Sequence, residues 1–150
     1  MNSNDNGNHP VPEGKVVGVD LGAARVGLAV SDETRAFAFA RTFIEFGGYK
    51  KLVTDLIAIA RKEAASEFVI GLPLNMDGSH GPQAAKAEKL AQLLKIESGL
   101  KVYLFDERLS TVEASRLIHE SGRRIRDKGV VDSAAARVIL QAYLDGQKNK

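Results

Sequence analysis

Short apolar runs alternate with helical stripes along the chain, and their order predicts a mixed α/β domain. Runs rich in branched and aromatic residues predict three successive strands at 16–21, 26–30 and 36–44. Only a short glycine turn and a short polar turn separate these runs, so the three strands are expected to pair as an antiparallel meander. One sheet therefore begins in the N-terminal third of the chain.

The remainder of the chain alternates between helices and two further strands. Apolar residues at helical spacing predict helices at 49–65 and 83–98. The capping-box spacing of Ser110 and Glu113 predicts a short helix at 112–120, and Asp132 begins a last helix that ends at 143 or 144. The runs 68–70 and 101–105 are too short for helices and predict buried strands, the first of them parallel to the opening strand. A loop is predicted over 72–82, with a turn at Asp77 and Gly78. The element order indicates an α/β fold with a mixed sheet.

Composition narrows the class of protein. A chain of 150 residues, 44% hydrophobic and 27% charged, predicts one globular domain able to bury a core. There are 0 cysteines, no apolar run of membrane-spanning length and no signal-like opening segment, so we expect a cytoplasmic protein without a membrane partner. Residues 1–14 are expected to form a disordered tail, 15–146 the domain and 147–150 a frayed end.

Asp20 stands inside the first predicted strand and is followed by a glycine turn. Because side chains alternate along a strand, Asp20 shares a face with Gly18, and both Gly18 and Gly22 are expected to leave room for a substrate or a metal. A buried carboxylate without a partner is costly, so Asp20 should accept hydrogen bonds, pair with a cation or bind a metal. The structural alternative is a hairpin in which Asp20 caps the turn.

Three further acidic residues, at two places in the chain, could converge with Asp20. Asp106 and Glu107 follow the fifth predicted strand, at the sheet edge where open α/β sheets bind ligands, and Asp132 begins the last predicted helix. The alternatives are structural: Asp106 and Asp132 as caps, and Glu107 in a surface ion pair with Arg108. Carboxylates without cysteine suit Mg²⁺ or Mn²⁺ better than zinc. Two such ions can activate water in phosphodiester hydrolysis, so the acids favour a metal-dependent nuclease.

Basic residues near these acids offer contacts for phosphate groups. A cluster of four cations precedes Asp132, namely Arg123, Arg124, Arg126 and Lys128. Arg25 and Arg108 stand close to Asp20 and Glu107 in sequence, and each could contact a phosphate or simply pair with an acid. A net charge of +2 neither requires nor excludes nucleic acid, so the clustering of the cations is what favours a nucleic-acid partner.

Four motifs, taken together and in this order, resemble the YqgF (RuvX) family of Holliday junction resolvases. They are 20–32 (DLGAARVGLAVSD), 71–78 (GLPLNMDG), 106–111 (DERLST) and 128–135 (KGVVDSAA). The resemblance covers residues 16 to about 144. It implies an RNase H-like fold, with a five-stranded mixed sheet, the first three strands antiparallel, and helices on both faces.

The resemblance also implies a magnesium-dependent nuclease of the bacterial cytoplasm. Two roles are implied: maturation of the 5′ end of pre-16S rRNA, and resolution of branched DNA junctions. A junction has two symmetric strands to cut, so the second role would require a homodimer. Matched by motif position, Asp20, Glu107 and Asp132 correspond to the family's active-site acids and metal ligands, while Asp106 is expected to support the turn.

Two other functions are compatible with the residues. The Asp-x-Gly turn before a hairpin also resembles the phosphate-binding turn of actin-type and sugar-kinase phosphotransferases, although the chain contains no second turn of this pattern. A non-catalytic RNA-binding module would depend on the basic residues and not on the carboxylates. His80, in the predicted loop over 72–82, could contact a substrate or be an inert exposed side chain.

Overall fold

The computed structural model describes residues 14–112, 114 and 133–148. The strands of this part are β1 (Lys15–Leu21), β2 (Arg25–Ser31), β3 (Ala38–Glu45), β4 (Ala65–Leu72) and β5 (Lys101–Asp106). Its helices are α1 (Tyr49–Glu63), α2 (Pro82–Ser98), the 3₁₀ turn Glu107–Leu109 and α3 (Ala134–Lys148). The predicted order of elements is confirmed over these residues. Most of the helix predicted at 112–120 lies outside them.

The five strands form a single mixed sheet in the order β3-β2-β1-β4-β5. β1 and β3 both pair antiparallel with β2, as the meander predicted, whereas β4 runs parallel to both β1 and β5. Because β1, β4 and β5 are parallel, their carboxyl ends meet at one edge of the sheet. Asp20, Gly71 and Asp106 all lie at or next to that edge.

Helices cover both faces of this sheet. On one face, Val17 and Val19 of β1 belong to a core with buried residues of α1 and α2, including Leu52 and Leu90. On the other face, residues of α3 pack against Val16 and Val69. Alternation along β1 therefore puts Asp20, two residues beyond Gly18, on the face that α3 covers. None of the helices in the described part is long and apolar enough to cross a membrane.

β4 and α3 extend furthest beyond their predicted bounds. β4 begins at Ala65 rather than at residue 68, and it includes Glu67, which is 3% exposed. Arg35 pairs with the Glu67 carboxylate at 3.0 Å, and the hydroxyl of Tyr143 also donates a hydrogen bond to it. These partners allow a charged residue inside a buried strand. α3 continues to Lys148, past the predicted end of the helix at residue 144.

Candidate active site

The β1–β2 turn presents Asp20 at the edge of the sheet. Asp20 is half-buried and faces Gly27 across the antiparallel pair. The backbone N–H of Gly22 donates to the carbonyl of Arg25 at 3.0 Å and closes the turn. A Cβ at Gly22 would lie 2.6 Å from that carbonyl oxygen. Gly22 is therefore required by the turn. It also lines the cavity beside Asp20, and the expectation that it leaves room for a substrate or a metal stays a prediction.

Gly18, in contrast, does not provide clearance for a ligand, and that expectation is wrong. A Cβ at Gly18 would lie 2.8 Å from the Cβ of Leu140 and 3.3 Å from the carbonyl oxygen of Ala136. Both atoms belong to α3, so the missing side chain lets this helix pack closely on β1. The sequence correctly placed Gly18 on the Asp20 face but did not show that a helix covers it there.

Glu107 reaches the same region from β5. Its side chain is 6% exposed, and its Oε2 lies 2.5 Å from the position that a Cβ would take on Gly71. Gly71 belongs to β4, the strand between β1 and β5. The glutamate therefore extends across the middle strand. Sequence reasoning missed Gly71, although a glycine inside a strand often marks such a close approach.

Asp20 and Glu107 line one cavity of about 280 Å³ at this edge of the sheet. The other lining residues are Leu21, Gly22, Ala23, Gly71, Pro73, Gln83 and Ala87. Two of the three predicted acids thus come together, as the motif positions implied. Residues 14–112, 114 and 133–148 contain no group of three acidic, histidine or cysteine side chains that could hold a metal ion. Asp132, the third predicted acid, lies outside these residues.

Asp106 and Arg108 fix the turn that carries Glu107. The Asp106 carboxylate accepts a hydrogen bond from the Arg108 backbone N–H at 2.9 Å and pairs with its guanidinium at 2.8 Å. The hydrogen bond from the Arg108 side chain lowers the pKa of Asp106 below its usual value. Arg108 Nη1 also donates to the carbonyl of Met76 at 3.3 Å. The partner of Arg108 in this ion pair is therefore Asp106, and the interpretation of Asp106 as a turn cap is confirmed.

The loop that borders the cavity is held by its own polar groups. Asp77 accepts hydrogen bonds from the hydroxyl and the backbone N–H of Ser79, which lower the pKa of Asp77. Gly78 has a φ of 87°, so the predicted Asp77–Gly78 turn is confirmed. The ring of His80 lies 2.8 Å from the carboxylate of Glu88 on α2. A contact between His80 and a substrate stays a prediction.

Ser133 attaches the start of α3 to β2. It is fully buried, and its hydroxyl accepts a hydrogen bond from the backbone N–H of Leu28 at 3.0 Å. The register between β2 and β3 shifts between Val26 and Leu28, beside Gly27, the residue that faces Asp20. Sequence reasoning missed this contact, because nothing in a local pattern pairs a serine with a backbone group more than a hundred residues away.

Of the predicted phosphate-binding cations, the structure describes Arg25 and Arg108. Arg25 is exposed, and its guanidinium carbon lies 5.2 Å from the centre of the Phe43 ring. Arg108 is engaged with Asp106 and the Met76 carbonyl. The basic cluster of Arg123, Arg124, Arg126 and Lys128 lies outside the described residues. Phosphate binding by all six residues stays a prediction.

The fold is that of the RuvC class of junction resolvases. The structure of Thermus thermophilus RuvC in complex with a Holliday junction substrate matches with a TM-score of 0.57 and 13% identity, covering 92% of this chain and 98% of that one. A second T. thermophilus RuvC structure matches with a TM-score of 0.56 and 11% identity, covering 90% and 96%. The RNase H-like fold predicted from the motifs is thereby confirmed.

A family model described as "RuvX: Holliday junction resolvase" matches residues 14–146. A protein of Clostridioides difficile (strain 630) is 41% identical over 138 residues, covering 91% of this chain and 98% of its own. One of Anaeromyxobacter dehalogenans (strain 2CP-C) is 44% identical over 132 residues, covering 87% and 96%. Both bear names that mark them as candidate pre-16S rRNA nucleases. The chain belongs to the RuvX family, as its four motifs indicated.

Proposed function

We propose that this protein is a metal-dependent nuclease that hydrolyses phosphodiester bonds in maturing the 5′ end of pre-16S rRNA. The observation that carries the proposal is the shared cavity at the ends of the parallel strands, with Asp20 and Glu107 in its wall. The names of the relatives supply the substrate, and the family match favours a nuclease over the phosphotransferase alternative. With this substrate, the protein would act in the bacterial cytoplasm.

The chemistry of the acidic residues fits a hard divalent cation. Asp20, Glu107 and Asp132 would hold Mg²⁺ or Mn²⁺ through carboxylate oxygens, and such ions activate water and stabilise the leaving oxygen in phosphodiester hydrolysis. Ser133 follows Asp132 directly in the sequence and is hydrogen-bonded to β2 beside the partner of Asp20. This anchoring supports the inclusion of Asp132 in the set.

The protein's other groups would orient the substrate and the acids. The Asp106–Arg108 pair holds the Glu107 turn against the carbonyl of Met76 in the neighbouring loop. Rigid support of this kind keeps a catalytic carboxylate in position. The exposed Arg25 and the basic cluster at 123–128 would bind phosphates of the RNA, and each contact would add to the salt dependence of binding.

The first test is a cleavage panel with the purified protein. The substrates are a pre-16S rRNA fragment with its 5′ extension, an unrelated single-stranded RNA and a four-way DNA junction, each with Mg²⁺, Mn²⁺ or EDTA. We expect cleavage of the pre-rRNA with either metal, and a loss of at least about 100-fold in Asp20→Asn, because the variant removes a charged ligand.

Asp55→Asn is the matched control for this panel, because it makes the same chemical change on α1, where Asp55 pairs with Lys51 in an exposed ion pair. It should cleave at the wild-type rate. Full cleavage in EDTA would contradict the metal mechanism. Wild-type cleavage by Asp20→Asn would remove the catalytic role of Asp20. RNA binding without any cleavage by the wild type would favour the RNA-binding module instead.

Junction resolution is the second candidate function, and the description of the family model favours it. A resolvase cuts two symmetric strands, so the proposal for this substrate includes a homodimer. Selective cleavage of the four-way junction, together with a dimer in analytical ultracentrifugation at the assay concentration, would support it. A monomer that cleaves only the pre-rRNA would exclude it.

A further inference from the structure

Gly71 occupies a strand position where the backbone does not call for glycine. It lies in β4, is paired with Phe105 of β5, and follows Ile70, the partner of Val19 in β1. Its φ is outside the positive range, in contrast to Gly48, Gly78 and Gly99. Glycine within a strand weakens the strand and often marks a close approach by another group. The requirement for glycine at this position must therefore come from the side chains that pack against it.

Two side chains occupy the space where a Cβ at Gly71 would be. Oε2 of Glu107 lies 2.5 Å and its Cδ 3.3 Å from that position, while Cδ1 of Ile139 lies 2.7 Å from it. The distances to Oε2 and Cδ1 are shorter than a real Cβ tolerates, so a side chain at residue 71 would displace at least one of these groups.

We propose that Gly71 is a positioning residue, whose missing side chain provides the space in which the Glu107 carboxylate crosses β4 to face the same cavity as Asp20. This inference rests on the proposed nuclease function. The turn at residues 107–109 is fixed by the bonds between Asp106 and Arg108. Any displacement that Glu107 takes up would therefore fall on its carboxylate rather than on the turn.

Gly71→Ala tests the steric part of the proposal without any activity assay. The substitution is made in the wild-type, Glu107→Ala and Ile139→Val backgrounds, and thermal unfolding is measured for each pair. In the wild type, we expect the melting temperature to fall by about 4–8 °C, typical of overpacking in a domain of this size. In the Glu107→Ala background, the fall should be less than half as large, because the clashing carboxylate is absent.

The alternative origin of the constraint is Ile139. If Gly71 serves only the packing of α3, Gly71→Ala will no longer lower the melting temperature in the Ile139→Val background, because valine lacks Cδ1. In the Glu107→Ala background, Gly71→Ala will then lower the melting temperature as much as in the wild type. That result would overturn the proposal whether or not the protein is a nuclease. Glu107→Asp is a second background if Glu107→Ala does not fold, because its shorter side chain no longer reaches over Gly71.

The functional part is measured below the melting temperature of every variant. Gly71→Ala should lower kcat for pre-rRNA cleavage at least about tenfold, since small displacements of a catalytic group are costly. The Kd for the same RNA should change by less than about twofold. Gly146→Ala is the control, because a Cβ there meets nothing within 4 Å. A wild-type kcat in Gly71→Ala would overturn the positioning role, while no cleavage by the wild type would defeat only the proposed function.

Discussion

Asp106 and Glu107 are adjacent in the sequence, yet their carboxylates have different surroundings. Asp106 is held by Arg108, which lowers its pKa and keeps it charged. Glu107 is buried and lies over Gly71 in the wall of the cavity. Adjacent strand residues point to opposite faces, so only one of the pair easily faces Asp20, and the motif match selected Glu107. The space that admits its carboxylate could not be predicted, because it depends on residues distant in sequence.

Asp32, the last residue of the first motif, gives a prediction for stability against pH. Its carboxylate accepts hydrogen bonds from the backbone N–H groups of Ala36 and Phe37 and from the hydroxyl of Thr34. These bonds lower the pKa of Asp32 from 3.8 to about 2. Because the folded-state pKa is depressed, the stabilisation is present above the usual pKa and is lost as the pH falls through about 2.

Asp32→Asn removes this ionisable group while preserving its shape. The wild type should be more stable than the variant at pH 7, and the difference in the free energy of unfolding should narrow steadily between pH 4 and pH 2. Urea unfolding of both proteins across this range measures that difference. If the difference in the free energy of unfolding does not change with pH, the charge of Asp32 contributes nothing to stability.

At the scale of elements, α3 connects the site to the sheet. It packs on the face that carries Asp20, it requires glycine at residue 18, and Ser133 ties its first turn to Leu28. The sequence predicted a helix at this place in the chain but not which of its faces is buried. Ser133 was not predicted, since a serine before a helix usually signals only a local cap. The early start of β4 was missed because Glu67 breaks the hydrophobic pattern, and its partners come from distant positions.

Ser133→Ala should destabilise the protein by about 1–3 kcal/mol, because it leaves the buried N–H of Leu28 without its acceptor. Urea denaturation gives this difference directly. Ser79→Ala makes the same chemical change in an exposed loop, where water can replace the hydroxyl's bonds to Asn75 and Asp77, and should cost less than about 0.5 kcal/mol. Equal effects of the two substitutions would show that the Ser133 bond does not anchor the helix.

At the scale of the whole molecule, the strand order of the sheet brings together two acids that are far apart in the sequence. The first acid is on the central strand β1 and the second follows the edge strand β5, and both strands run parallel to β4 between them. The order of the apolar runs predicted the antiparallel meander and a fourth strand parallel to the first, because short strands joined by turns or helices allow few arrangements. The single five-stranded mixed sheet was implied by the family resemblance. The site was predicted less completely: the acids carry chemical signals in the sequence, but Gly71 and Ser133 act through contacts that only the folded chain creates.

The central claim is that Asp20 and Glu107 act together in one catalytic cavity. A single-turnover cleavage assay on the pre-16S rRNA fragment tests it most directly, with the wild type, Asp20→Asn, Glu107→Gln and the double variant. Residues that act as a unit have non-additive effects. We predict that each single variant loses at least about 100-fold in rate and that the double variant is no slower than the slower single one. Wild-type cleavage by either single variant, or losses that multiply in the double variant, would contradict the claim.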